Sequence, residues 1–357
     1  MDLEKRIIGF VQLGVILRDP KGALDKVIDK ASKKNGWFTE ENIRLAISSI
    51  GEMIKEDKIR KWVDKYESLK SKEKQPEARK TGVIMAGNIP LVGFHDFMCV
   101  LMSGNIFVGK LSSDDEILLP AIAKFLVSIE PKFKDQIHFT DQPFNKTKGI
   151  AAYIATGSNN SARYFEYYFK KHPHIVRKNR NSVAVLDGNE TANDLNALGK
   201  DIFQYFGMGC RNVSKIYIPE DFNLDNFFEA IVDFGEVIHH NKYYNNHQYY
   251  RTLYLLNSEK FLDNNFLMLK NTPSNSPEGG EIIASPVATL YYEHYNNKND
   301  LFKKLLAAQE QIQCIVSHHA IPFPLERVRV RPGHTQSPEL WDYADGVDTM
   351  EFLIRMK

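Results

Sequence analysis

The sequence predicts an α/β protein of two packed domains with open, mainly parallel sheets, preceded by a helical preface. Three observations predict it. From Thr81 onward short β runs alternate with helical segments, the pattern of strand–helix–strand units. Glycine and polar residues follow several of those runs, where parallel strands end and ligands bind. The length, 357 residues, exceeds the ~100 to 200 residues of one typical domain.

In chain order, Met1 to Pro20 reads as an amphipathic first helix. Asp2 and Glu4 stand where a signal peptide needs positive charge, and its apolar stretch is short. Phe38 to Ile54 has apolar residues at helical spacing, with Thr39 as N-cap. A charged stretch, Lys70 to Lys80, closes the preface. Gly82–Gly87, Asn105–Lys110, Gln136–Thr140, Ala151–Thr156, Ser182–Asp187 and Lys215–Pro219 read as strands. Helices are expected over Val92–Met102, Glu116–Ile129, Ser158–Lys170 and Asp194–Phe206, and a further β-rich passage over Glu281–Tyr292. With no repeat and no Gly/Ser linker, a first domain is expected over 1–206, its preface being 1–80. A second domain with a C-terminal tail is expected to begin at Gly207, over 207–357, and to pack closely on the first.

Composition removes several function classes. The 46 Lys and Arg against 45 Asp and Glu give no field that would gather nucleic acid or an acidic membrane. No window approaches the ~18 to 20 uncharged apolar residues of a membrane span, so the cytoplasm is the expected compartment. Three cysteines without close pairing argue against a disulfide framework or a CxxC metal site. His239–His240, His247 and His318–His319 lack carboxylates at a matching spacing, so no metal is expected. The Tyr-rich stretch Asn241–Tyr250 lacks the basic interleaving that nucleic-acid binding needs, and reads as packing.

Candidate chemistry lies just after the β runs. Gly87–Asn88–Ile89–Pro90, Lys110–Leu111–Ser112–Ser113 and Thr156–Gly157–Ser158 follow three of them. Backbone amides at a helix start, a hydroxyl and a lysine suit a nucleotide. The plainer alternative for Gly157 and Ser158 is a turn and an N-cap. Cys99 and Cys314 fall in apolar runs and read as small core residues. Cys210 sits in the glycine-rich GMGCRN beside Arg211, where it could serve as a thiolate or be a packed loop cysteine.

Taken in order, these segments resemble the aldehyde dehydrogenase superfamily, most closely its LuxC-type acyl-CoA reductases. GNIP (Gly87–Pro90) is similar to the WNxP segment whose asparagine helps form an oxyanion hole. SGNIFVGKLSSDD (Ser103–Asp115) is similar to the segment that holds the adenosine ribose, and ATGS (Ala155–Ser158) to the turn near the cofactor phosphates. VLDGNETANDLNALGKDIFQYFGMGC resembles the run into the nucleophilic cysteine. GGEIIASPV (Gly279–Val287) resembles the motif whose glutamate holds the nicotinamide ribose.

The resemblance implies an aldehyde dehydrogenase-like fold, with Cys210 as nucleophile and Asn88, together with the Cys210 N–H, as oxyanion donors. It implies a cofactor held by Lys110, Ser112, Ser113, Gly157, Ser158 and Glu281. His174–Val185 carries no glutamate where hydrolytic members keep a general base, which suits thioester reduction better than aldehyde oxidation. Ser113 replaces the usual acidic residue and tilts the cofactor towards NADPH, with NADH as the alternative. The expected reaction is reduction of a long-chain fatty acyl-CoA to the aldehyde with release of CoA. An acyl-activating or acyl-transferring partner enzyme and homo-oligomerisation are expected around it. The rival classes are a cysteine-dependent acyltransferase or thioesterase and a non-catalytic binding subunit with the same fold.

Overall fold

The computed structural model describes residues 1–70, 77–144, 149–272 and 281–356. The chain forms two compact units, Met1–Asn179 with Pro338–Lys357, and Arg180–Ser337. The expected boundary at Gly207 is therefore too late. The strand that begins at Asn181 pairs with partners in the second unit, and its hydrogen bonds decide where it belongs. The tail also departs from expectation, because its last twenty or so residues belong to the first unit.

The first unit opens with α1 (Leu3–Arg18), α2 (Asp25–Lys34), α3 (Glu40–Met53), α4 (Glu56–Val63) and α5 (Glu67–Lys70). Thr39 caps α3 by accepting the Asn42 N–H, as the sequence predicts. Residues 71–76 of the charged stretch lie outside the described residues. There follow β1 (Lys80–Ile84), α6 (Phe94–Met102), β2 (Ile106–Lys110), α7 (Leu118–Ile129), β3 (Ile137–Phe139), β4 (Ile150–Thr156), α8 (Asn159–Phe169) and β5 (His174–Arg177). All pairings are parallel, in the order β3-β2-β1-β4-β5. Nearly every residue of α6 is buried, its apolar residues lying in one core with those of the preface.

Phe10, Leu13, Leu17 and Trp62 from the preface share one core with Leu340, Met350 and Leu353 of the tail. Polar contacts fix the tail in place: Trp62 Nε1 donates to the Tyr343 hydroxyl at 2.6 Å and the Tyr66 hydroxyl to Asp348 at 2.8 Å. Buried Arg177 pairs with Asp96 of α6 and donates to Thr349 Oγ1 at 2.9 Å.

The second unit contains β6 (Asn181–Val185), α9 (Ala192–Phe203), β7 (Val213–Pro219), α10 (Leu224–Ala230), α11 (Asn241–Leu256), β8 (Leu262–Asp263), β9 (Met268–Asn271), β10 (Thr289–Tyr295), α12 (Lys298–Ala307), β11 (Ile312–Val316) and β12 (Arg329–Val330). The sheet order is β12-β11-β6-β7-β10-β9-β8, parallel except for the β8–β9 pair. Alternate residues of β6 and β7 feed two cores: Ala184, Ile216 and Ile218 one, Val183, Val185 and Tyr217 the other. That is the period of a strand covered on both faces. The Tyr-rich stretch is α11, which buries Tyr243, His247 and Tyr254. Among the described residues no helix is long and apolar enough to cross a membrane.

Candidate active site

Three of the predicted turns leave the first sheet side by side. Ile84, at the end of β1, is the register partner of Lys110 on β2 and of Ala155 on β4. The segments that carry Asn88, Ser112–Ser113 and Gly157–Ser158 thus emerge at one level on the carboxyl edge. The strand order changes direction across β1 and β4, the switch point at which open α/β sheets bind ligands.

Glycine is required in the first turn, since a Cβ on Gly87 would lie 2.6 Å from Ser112 Oγ. Without it the β1 exit could not lie against the β2 exit. Beyond Gly87 the chain exposes Asn88 and then buries Leu91, whose φ is +61°. The Leu91 N–H donates to the buried carboxylate of Asp115 at 2.7 Å. Burial pushes the Asp115 carboxyl up to about 6, against the stabilising backbone N–H groups of Leu91 and Leu118. Sequence reading missed Asp115, because nothing in the run SSDDE separates the inward carboxylate from its exposed neighbours.

Ser113 and Ser158 are exposed and Lys110, Ser112 and Gly157 half-buried. Ser158 caps α8, accepting the Ser161 N–H at 3.2 Å, and the Gly157 N–H donates to the Arg177 carbonyl at 3.3 Å. Both are thus structural elements of the turn as well as candidates for phosphate.

Cys210 lies at the opposite kind of edge, in the turn that enters β7 from α9. Cys210 is half-buried, whereas Cys99 and Cys314 are buried. Tyr205, Phe206 and Gly207 ahead of it have φ of 52°, 58° and 75°. Two bulky residues in succession in the left-handed region form a sharp, strained reversal. The helix expected to continue to Phe206 ends at Phe203 for this reason. Ser182 Oγ donates to the Cys210 carbonyl at 3.1 Å and receives the Cys314 N–H at 3.2 Å. Arg211 Nε donates to the Thr335 carbonyl, and buried Asp201 of α9 accepts the N–H groups of Gly333 and Thr335 at 2.6 and 3.0 Å. Burial keeps the Asp201 carboxyl above the usual range in spite of those donors.

Glu281 is found in a setting different from the expected one. Its side chain is 4% exposed, and Oε1 receives Lys215 at 2.5 Å and the Tyr217 hydroxyl at 2.8 Å. Lys304 lies 2.9 Å from Oε2. Glu293 completes the group, 2.7 Å from Lys215 and 2.5 Å from Lys304. Burial works against the Glu293 charge, but hydrogen bonds from the two lysines outweigh it and hold its carboxyl below the usual range. Burial and the adjacent Glu281 push the Tyr217 phenol far up, so it stays a donor. In this network both Glu281 oxygens face protein cations. Gly279 and Gly280 of the same motif lie outside the described residues.

Among the described residues no group of three His, Cys, Asp or Glu side chains is arranged to hold a metal. His247 is buried against Asp263 at 3.0 Å. Phe203 stacks on Phe234 at 5.2 Å, and Phe227 is wholly buried in the same core.

The sequence profile described as Acyl-CoA reductase (LuxC) matches residues 26–233, more than half of the chain. The chain belongs to this acyl-CoA reductase family. It is accordingly an oxidoreductase of the aldehyde-forming, acyl-reducing kind. A search of curated protein sequences finds no match. Among solved structures, aldehyde dehydrogenase 21 from Physcomitrella patens, in complex with succinate, is similar to 99% of this family member at 12% identity. The alignment covers 84% of that chain with a TM-score of 0.69. The aldehyde dehydrogenase KauB from Pseudomonas aeruginosa matches 88% of this chain and 72% of its own at 12% identity, TM-score 0.63. The glyceraldehyde-3-phosphate dehydrogenase GapN from Methanocaldococcus jannaschii, solved with NADP, matches 88% and 76% at 13% identity, TM-score 0.61. These likenesses show the aldehyde dehydrogenase fold in this reductase family member.

Proposed function

We propose that the protein reduces a long-chain fatty acyl-CoA to the aldehyde with NADPH, through an acyl-enzyme on Cys210. The observation that carries the role of Cys210 is its position: of the three thiols it alone is half-buried, on a strained turn that leads into a buried strand. The Cys210 thiolate attacks the thioester carbonyl carbon, and the bond to the CoA sulfur breaks. CoA leaves as its thiolate and takes up a proton. Asn88 and the Cys210 N–H donate to the oxyanion as it develops.

The fit for a dinucleotide is the level carboxyl edge where Gly87 allows the β1 and β2 exits to touch. Lys110, Ser112 and Ser113 would hold its adenosine end, and Gly157 and Ser158 its phosphates. When bound, the nicotinamide supplies the hydride that converts the thioester on Cys210 to a thiohemiacetal. Cys210 is then released as a thiol when the aldehyde departs. Ser113, with no charge to repel a 2′-phosphate, favours NADPH. Glu281 is left out of this cofactor set, because both of its oxygens already face protein cations.

The test is acyl-CoA-dependent oxidation of NADPH by the purified protein, with CoA release measured alongside. Cys210→Ala is expected to abolish both. Full activity in that variant, or CoA release from the wild type without NADPH oxidation over many turnovers, contradicts the mechanism.

A further inference from the structure

We infer that Asn212 is a positioning residue for the nucleophile, its side-chain amide tying the C-terminal carbonyls of α9 to the Gly209 N–H and so setting how the Cys210 sulfur is presented. The inference rests on Cys210 being the nucleophile.

A helix ends with carbonyls that have no partner inside it. The usual solution is a glycine just past the end, folding back within a residue or two. Here the chain instead passes through three left-handed residues, and the partner comes from eight residues beyond Gln204. Asn212 is 1% exposed. Its Nδ2 donates to the Gln204 carbonyl at 2.9 Å and the Asp201 carbonyl at 3.0 Å, with a longer contact of 3.4 Å to Ile202. Its Oδ1 accepts the Gly209 N–H at 2.8 Å, and its own N–H donates to the Gly209 carbonyl at 3.0 Å.

One short side chain therefore needs a donor end towards α9 and an acceptor end towards the residue before Cys210. An amide has both; a carboxylate has none of the donors. An aspartate at this position would face carbonyl oxygens that no longer receive a hydrogen bond. The strained Tyr205–Gly207 reversal lies inside the span that Asn212 closes. Left-handed Tyr and Phe persist where the surroundings over-determine them, and Asn212 is the hydrogen-bonded bracket around them. Ser182 holds the other side, at the Cys210 carbonyl. Cys210 thus sits between two fixed points.

Asn212→Ala and Asn212→Asp in the full chain test this, with Cys210→Ala as control. Two quantities are read: kcat and KM for acyl-CoA in the NADPH oxidation assay, and the rate of iodoacetamide modification at Cys210, located by mass spectrometry, from about pH 6 to 9. Both Asn212 variants are expected to lose about 10- to 100-fold in kcat, as a misplaced reacting group does. KM should move less than about threefold, and the pH profile of Cys210 modification should shift. A variant that only lowers stability would leave that profile and the kcat of the folded fraction unchanged, and that result overturns the inference. Should Asn212→Ala not fold, Asn212→Ser, too short to span both partners, takes the same measurements with the same expected losses. Inactive Cys210→Ala together with normal Asn212 variants defeats the inference alone. Active Cys210→Ala defeats the nucleophile assignment and the inference with it.

Discussion

The carboxyl edge of the first sheet and the amino end of β7 in the second unit are both sharp turns next to parallel strands, yet they are held in different ways. On the first sheet, three exits run level, their tips are exposed, and side-chain anchors are few: Asp115 on Leu91 and Ser158 on α8. Ahead of β7, a single turn is bracketed by Asn212, Ser182 and the Asp201 contacts to Gly333 and Thr335. Open turns leave backbone groups for a ligand and tolerate change. A closed turn fixes one sulfur and transmits change into the core. The difference teaches where a substitution should cost binding and where it should cost stability.

The largest stability effect is expected inside the second unit. Glu281→Gln removes one carboxylate from a buried group of two lysines and two glutamates, and should destabilise by about 3 kcal/mol in chemical denaturation, with NADPH affinity nearly unchanged. A weakened NADPH affinity with intact stability would return Glu281 to the cofactor site and blur the contrast. A smaller effect belongs to Asp115. Its folded pKa of about 6 lies above that of an exposed aspartate, so the native state binds this proton more tightly than the unfolded chain. That contribution to stability is fully present below about pH 4 and is lost as pH rises through about 6. Between pH 5 and 7.5, the stability of Asp115→Asn relative to wild type should therefore improve by about 1 kcal/mol. A difference that does not vary with pH would show that Asp115 titrates normally. The smallest effect is expected at an open turn: Lys110→Ala should change stability by less than about 0.5 kcal/mol while weakening NADPH binding several-fold. Equal losses in stability and affinity would erase the distinction between the two regions.

Much of the architecture was legible because it depends on local periodicity. The runs at Asn105 and Ala151 became strands within one residue of expectation, the run at Gly82 became a strand that begins two residues earlier and ends three earlier, and Thr39 and Ser158 became caps. β5 escaped notice because four residues, His174–Arg177, carry too short a pattern to separate from a loop. The unit boundary was misplaced because β6 looks like its predecessors, and only its pairing with β7 and β11 assigns it elsewhere. The carboxyl-edge rule found the exits that carry Asn88, Lys110 and Gly157. It could not find Cys210, which precedes its strand and was reached through its glycine-rich surroundings and the family resemblance. Asn212 and Asp115 were illegible for a common reason: each acts through single hydrogen bonds to backbone groups, 3 to 11 residues away for Asn212 and 24 for Asp115, and such bonds leave no pattern in composition or spacing.

The path of the chain through its two units has a consequence for the order of assembly on the ribosome. Leu340, Met350 and Leu353 complete the core begun by Phe10 and Leu13, and all of Arg180–Ser337 is synthesised between them. The preface therefore emerges with an apolar face that stays incomplete until Leu340 to Leu353 have been synthesised. The second unit has no such delay. During synthesis Arg180–Ser337 is expected to complete its core before the unit made of Met1–Asn179 and Pro338–Lys357 closes.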